Sequence, residues 1–318
     1  YEGYVWSLNS LHEGRIDMSN LYKRVKGSLF HTYNRKDLSA WEHTPSTPLP
    51  IYGVYHVMLD TGWTSLVKSQ IENLKRSGLL TATKKLYVSC IASKQADVAL
   101  LKQIIDSDKV EIISNSSDPK KYEYPALEYI RQLADNEECL IYYFHSKGIS
   151  YQSITTRDRQ FHSFKRKIDA WRELLEYFIF DKWKVAVNVL TAGYDTYSCY
   201  RWPPRKYTMY SGSFWWAKSD YIKRLPHFDK NIISTNRFYS EVWLFELSNH
   251  KQFSAFDTIV DLYFVRIPRS IYAGESPKAW DKIRFSLVYN IRKIEKHVFK
   301  YNYKQRCQQR FQKLKEEI

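Results

Sequence analysis

The chain has 318 residues, 44% of them hydrophobic and 26% charged, enough apolar material for a substantial core in one large domain or two small ones, and so reads as globular. Its 49 Lys and Arg against 34 Asp and Glu leave a net charge of +15, which favours a polyanionic or membrane-surface partner or an anionic small substrate without choosing among them. Cys90, Cys139, Cys199 and Cys307 are scattered with no CxxC pair, which argues against a zinc cage or disulfide framework and suits a reducing compartment, and no apolar run approaches the ~18 residues of a spanning helix.

No signal-peptide pattern opens the chain, and a start at Tyr1 rather than Met leaves room for an upstream segment. The expected location is the cytoplasm, either free or peripheral at the inner face of the cell membrane. Residues 1–46 are polar and basic and are expected to form an extension or linker; "HTPSTPLP" (His43 to Pro50) carries three prolines that favour extended backbone. From Ile51 the pattern becomes regular. "IYGVYHVML" is β-branched and aromatic, and "SLVKSQIENLKRSG" places Leu66, Ile71 and Leu74 at helical spacing before Gly78. "KLYVSCIAS", "VEIISNS" and "CLIYYF" continue as strands, with "ADVALLKQIIDS" and "YPALEYIRQLA" as the helices between them. Alternation of this kind predicts a parallel sheet covered on both faces, with ligands at the carboxyl ends of its strands. The tips are His56 and Met58, Ser93, Asn115 to Ser117, and His145 to Gly148.

Further on, "FKRKIDAWRELLEYFIFDKWKVAVNVLTAG" predicts one long helix with Ile168, Trp171, Leu175, Phe178 and Ile179 on a face. "SGSFWWA" reads as a strand, "RFYSEVWLFEL" as a short helix and "FSAFDTIVDLYFV" as strand-like. Residues 47–280 form the main domain in this scheme, and 281–318 a basic helical tail with eleven Lys or Arg against four Asp or Glu, a local excess of +7. None of the ten glycines falls as GxGxxG or GxxxxGK[ST], which argues against dinucleotide and P-loop sites, and no HExxH, GxSxG or EF-hand loop occurs.

The stretches "YGVYHVMLDTGWTSLVKSQIENLKRSGLL", "YYFHSKG", "AWRELLEYFI", "YSGSFWWAKSDYIKRLP" and "NRFYSEVWLF" resemble a group of bacterial and viral sugar transferases of the GT-A type, associated with capsule, O-antigen, lipopolysaccharide and related glycan synthesis. The likeness spans Ile51 to Leu247. It implies an α/β fold, GT-A-like and Rossmann-like, with a mostly parallel central sheet flanked by helices and a helical C-terminal extension. It also implies a glycosyltransferase moving a sugar from a nucleotide-sugar donor to a hydroxyl of a glycan or lipid-linked glycan. Two departures stand out: Ser213 replaces the usual Asn, and no DxD carboxylate pair follows the strand at "CLIYYF", where His145, Ser146 and Lys147 stand instead. A divalent metal, Mn or Mg, is therefore left open, with His145 as one ligand.

Within that resemblance, Lys147, joined by Arg157 or Arg201, is expected to stabilise the departing diphosphate, and Glu241 to deprotonate the acceptor. The helix N-terminus at "SEVWLFEL" would favour the ionised form of Glu241. Donor binding falls to His56, Met58, Ser93, Asn115, His145, Ser146 and Gly148. Acceptor binding falls to Tyr210, Gly212, Trp215, Trp216 and Arg237, with one indole facing a sugar and the other the core. Each residue also has a plain structural alternative: a backbone-satisfied His145, a solvated Lys147, a capping Glu241, two core tryptophans, an Arg237 to Glu241 surface pair.

In the tail, Leu287, Ile291, Ile294 and Val298 recur at intervals of four, three and four between Lys and Arg, a basic amphipathic helix. Packing of this stripe on the domain is the favoured expectation; docking on an anionic inner membrane is the other. A non-catalytic carbohydrate-binding relative, a sugar-phosphate transferase and a nucleic-acid binder remain as alternatives, although no RRM, KH, zinc or helix-turn-helix signature supports nucleic acid as a partner.

Overall fold

A computed structural model of the chain describes residues 32–202, 208–228, 236, 238–274 and 276–316. It opens with a three-residue strand, β1 (Tyr33–Arg35), and then alternates: β2 (Ile51–Leu59), α1 (Trp63–Arg76), the single turn α2 (Leu79–Ala82), β3 (Lys85–Ala92), α3 (Gln95–Ile104), β4 (Val110–Ser116), α4 (Tyr124–Asn136) and β5 (Leu140–His145). After it come α5 (Arg159–Glu176), a π-helical turn (Tyr177–Asp181), α6 (Trp183–Thr191), β6 (Thr196–Ser198), β7 (Trp215–Lys218), α7 (Ser219–Arg224) and α8 (Tyr239–Val242). The chain closes with β8 (Gln252–Ser254), β9 (Phe256–Thr258), α9 (Arg269–Tyr272), α10 (Ala279–His297) and α11 (Tyr303–Glu316).

Seven strands form one sheet in the order β4-β3-β2-β5-β7-β6-β8. β2 to β5 are mutually parallel, and β7 runs antiparallel to both of its neighbours. The expected mostly parallel sheet with flanking helices and a helical C-terminal extension is therefore present. Its logic is visible in β2, where alternate side chains enter two cores. Tyr55, Val57 and Leu59 pack with Leu66, Val67 and Ile71 of α1, while Tyr52 and Val54 meet Ala126, Leu127 and Ile130 of α4.

Three expectations need correction. The stretch before the prolines is not all linker: β1 pairs with β9, and Asn188 of α6 donates to the carbonyls of Trp41 and His43 at 2.8 and 2.9 Å. The long helix is two helices. Tyr177, Phe178, Ile179 and Phe180 are all buried, and a regular helix presents only one side to a core, so the chain widens into a π turn there and then continues as α6. The tail stripe does not pack on the domain. α10 is held by its opposite side, through Phe285 and Ser286, and leaves Leu287, Ile291, Ile294 and Val298 exposed.

Candidate functional site

β5 ends at His145, and Ser146 to Gly148 turn away from the sheet. β3 and β4 lie on the far side of β2 from β5, so this turn leaves the sheet where connections diverge, the position at which open parallel sheets accept ligands. The turn is pinned from several sides. Ser146 N–H donates to the His56 carbonyl (3.0 Å), Ser146 Oγ accepts from Met58 N–H (3.0 Å), and the Lys147 carbonyl accepts from Arg172 (3.3 Å). Gln70 of α1 donates to the His145 carbonyl at 3.3 Å, and its carboxamide also bonds Tyr55 and the buried carboxylate of Glu176. Gly148 has φ of +85°, and a Cβ there would lie 2.9 Å from Ile168.

A cleft of about 290 Å³ opens beside this turn, with His145, Lys147, Glu123, Trp171, Glu241 and Lys304 in its walls. The Lys147 ammonium stands 3.7 Å from the centroid of the Trp171 ring. Burial pulls its pKa down to about 8; Glu241 and Glu123 oppose that shift, while Lys304 and Arg172 add to it. The indole N–H of Trp171 is buried and finds no acceptor among the described residues.

Across the cleft, His145 Nε2 lies 2.9 Å from the Gly212 carbonyl. A carbonyl only accepts, so the ring proton sits on Nε2 and Nδ1 is left as an acceptor. Burial holds the imidazole below its usual pKa, with Glu123 opposing, so the ring is neutral at pH 7. Nδ1 lies 3.8 Å from Glu123 Oε1, and Glu123 is fixed by Tyr143, whose hydroxyl donates to Oε2 at 2.8 Å. At 3.8 Å, Nδ1 and Oε1 stand wider than the roughly 3.0 Å between adjacent ligands of an octahedral ion held ~2.1 Å from each, so to share such an ion the two side chains would have to close on it. No group of three His, Cys, Asp or Glu converges among the described residues.

Of the residues predicted from sequence, His145, Lys147, Gly212 and Glu241 meet in this cleft. Ser146 and Met58 form the bond that pins the turn. His56 is buried in β2, its pKa pulled to about 4 by burial, and does not line the cleft. Asn115 lies in a separate groove with Gln95 and Lys102, and Ser93 is exposed just past β3. The acceptor assignments to Tyr210, Trp215 and Trp216 are corrected. All three are core: the Tyr210 hydroxyl bonds Thr196, Trp215 packs on Tyr143, and the Trp216 indole donates to the Ile179 carbonyl. Arg157 and Arg201 do not line the cleft; among the described residues the second cation there is Lys304. α8 is a single turn, so the helix-terminus contribution expected at Glu241 is small. Arg237 lies outside the described residues. Ser213 has φ of +52°, a conformation in which Asn is several-fold enriched over most residues, which accounts physically for the Asn of the resemblance.

Sequence reasoning missed Glu123, Lys304 and the cleft role of Trp171. Glu123 caps α4 and Lys304 opens α11, and no local motif marks either; Trp171 was visible only as part of an apolar helix face.

No protein-family profile matches the chain, and no curated protein matches it. Among solved structures it is similar to a mannosyltransferase from Pyrobaculum calidifontis in complex with GDP-Man and Mn2+, at 12% identity and a TM-score of 0.42, over 85% of this chain and 76% of that one. It is also similar to 4-diphosphocytidyl-2C-methyl-D-erythritol synthase from Anaerococcus prevotii, at 8% identity and a TM-score of 0.31, over 75% of this chain and 97% of that one. At these values neither likeness bears on what the cleft does.

Proposed function

We propose that the cleft transfers a glycosyl group from a nucleotide-sugar donor to a hydroxyl of a glycan acceptor. The observation that carries this reading is the convergence of Lys147 and Glu241, from the turn after β5 and from α8, on one cavity at the carboxyl end of the parallel strands. The resemblance in sequence supports the same reaction and suggests the acceptor class, a free or lipid-linked glycan of a bacterial or viral surface polysaccharide.

The cations and the carboxylate of the cleft divide the work. As the bond from the anomeric carbon to the diphosphate oxygen breaks, that oxygen keeps the electron pair, and Lys147 and Lys304 face the growing negative charge. The acceptor oxygen forms the new bond to the anomeric carbon while its proton passes to Glu241, a displacement that inverts configuration. His145 and Glu123 are the residues that would close on a divalent ion, and such an ion would supply charge neutralisation when bound.

The test is a thermal-shift screen against UDP, GDP, CMP and ADP sugars with and without manganese, followed by turnover of the donor that stabilises. Glu241→Gln is expected to lower kcat about 10²–10⁴-fold with the donor-induced shift intact. Wild-type turnover in that variant removes Glu241 as the base, and no stabilisation by any nucleotide sugar removes the reading as a whole.

A further inference from the structure

We propose that the outward face of α10 docks on an anionic lipid surface. Trp280, Ile283, Leu287, Ile291, Ile294 and Val298 follow one another at intervals of three, four, four, three and four. At about 3.6 residues per turn these intervals draw a single narrow stripe along the helix. The stripe faces out: Trp280 is 69% exposed, Leu287 53% and Val298 65%, and Phe299 extends it past the helix end.

The stripe is not what attaches the helix to the protein. Phe285 and Ser286, both 1% exposed, lie on the opposite side. There Ser286 Oγ bonds Thr32 Oγ1 at 2.8 Å, Phe285 meets the edge of Tyr33, and Arg292 covers the Tyr303 ring. α10 is thus amphipathic twice, once toward the fold and once away from it. Six large apolar side chains in register on an exposed helix are more than the isolated exposed hydrophobics that any soluble surface carries.

Charge selects the occupant. Lys278, Lys282, Arg284, Lys293 and Lys300 are exposed on and beside α10. Its two acidic residues are already engaged, Asp281 with the Ser270 hydroxyl and Glu295 with Arg292. From Asp281 onward the chain carries a local excess of +7. A second copy on the same face would bring like charge against like charge. A nucleic acid would meet the cations but gain nothing from aligned Ile, Leu and Val. An anionic bilayer satisfies both, with acyl chains under the stripe, headgroups at the lysines and aromatic Trp280 and Phe299 at the ends. No described helix is long and apolar enough to cross a membrane, so α10 lies in the plane of the surface.

The experiment is flotation of the full chain with vesicles of phosphatidylcholine alone and of phosphatidylcholine with phosphatidylglycerol, at low and high salt. It uses no sugar donor, so its outcome stands apart from the catalytic reading. Binding to the anionic vesicles, weakened by salt, is expected, and Leu287→Glu with Ile291→Glu should lower it by about tenfold or more. Both positions are exposed, so the melting temperature of the double variant should match the parent. If it does not, Lys282→Glu with Lys293→Glu reads the charge contribution by the same assay and is likewise expected to weaken binding. Absence of binding to anionic vesicles, equal binding to both lipid compositions, or undiminished binding in the variants overturns the proposal. So does a dimer of the parent chain that the double variant converts to monomer, which would assign the stripe to a second copy.

Discussion

Lys147 is the residue on which burial and charge oppose each other most directly. Its ammonium lies over an indole rather than in water, and its pKa of about 8 shows that desolvation outweighs the attraction of Glu241 and Glu123. The ammonium form exists below that pH and is lost above it, so turnover should fall along an alkaline limb near pH 8. Lys147→Arg, which stays charged, should move the limb out of range while retaining part of the activity; an unchanged limb in that variant assigns it to another group. The same shift has a consequence for stability. An amine whose folded pKa lies below its unfolded value binds fewer protons in the folded state between about pH 8 and 10.5, so its contribution to stability rises with pH through that window and is least favourable below it. Lys147→Met should therefore raise the melting temperature at pH 7 and abolish turnover. A variant that is inactive and less stable would mean that the contact with Trp171 and the carboxylates outweighs desolvation.

Whole elements explain why the fold was largely legible and the site only partly so. β2, α1, β3, α3, β4, α4 and β5 announce themselves because each buries one side or two in a repeating order, and the sequence period reports that burial. The turn after β5 is equally readable, since three polar residues and a glycine close an apolar strand. Trp215 and Trp216 were misassigned because a central strand between two cores buries both of its faces, where a half-exposed strand would have shown one. Glu123 and Lys304 reach the cleft only through the packing of distant elements, which no local pattern encodes. Gly53 shows how tightly the central strands are set. A Cβ there would lie 2.3 Å from Cζ of Tyr142 on β5 and 2.7 Å from Leu86 on β3, both in the core. Tyr142 is held by its bond to Thr83, so the ring has nowhere to go. Gly53→Ala should cost about 3 kcal/mol or more of unfolding free energy in urea titrations. A loss below about 1 kcal/mol would show that the sheet yields to an added methyl, contrary to the rigidity expected of a packed interior.

At the scale of the molecule, the C-terminal helices α10 and α11 are tied to the candidate site from one side and present a stripe on the other. α11 returns across α5: the Lys167 amine donates to the Tyr303 hydroxyl at 2.6 Å, and Phe311 packs with Phe161 and Ile154. That return carries Lys304 to the cleft, where it lies 3.7 Å from Asp261 and 4.2 Å from the centre of the Tyr263 ring. Lys304 is one of the charges that depress Lys147, so removing it should let the Lys147 pKa rise. Lys304→Ala should then shift the alkaline limb to higher pH and, if the proposed transfer places the departing diphosphate against this cation, lower kcat more than it raises KM. Lys304 is only partly buried and is held by one long ion pair and a ring face, so the melting temperature should stay within a few degrees of the parent, as for a surface ion pair worth about 0–1 kcal/mol. Phe311→Ala separates the two contributions of the helix. It removes core contacts without touching a charge, so it should lower the melting temperature, and if α11 is what delivers Lys304, it should reproduce the pH shift in part. A limb that stays at the parent pH in both variants would detach the C-terminal helices from the chemistry.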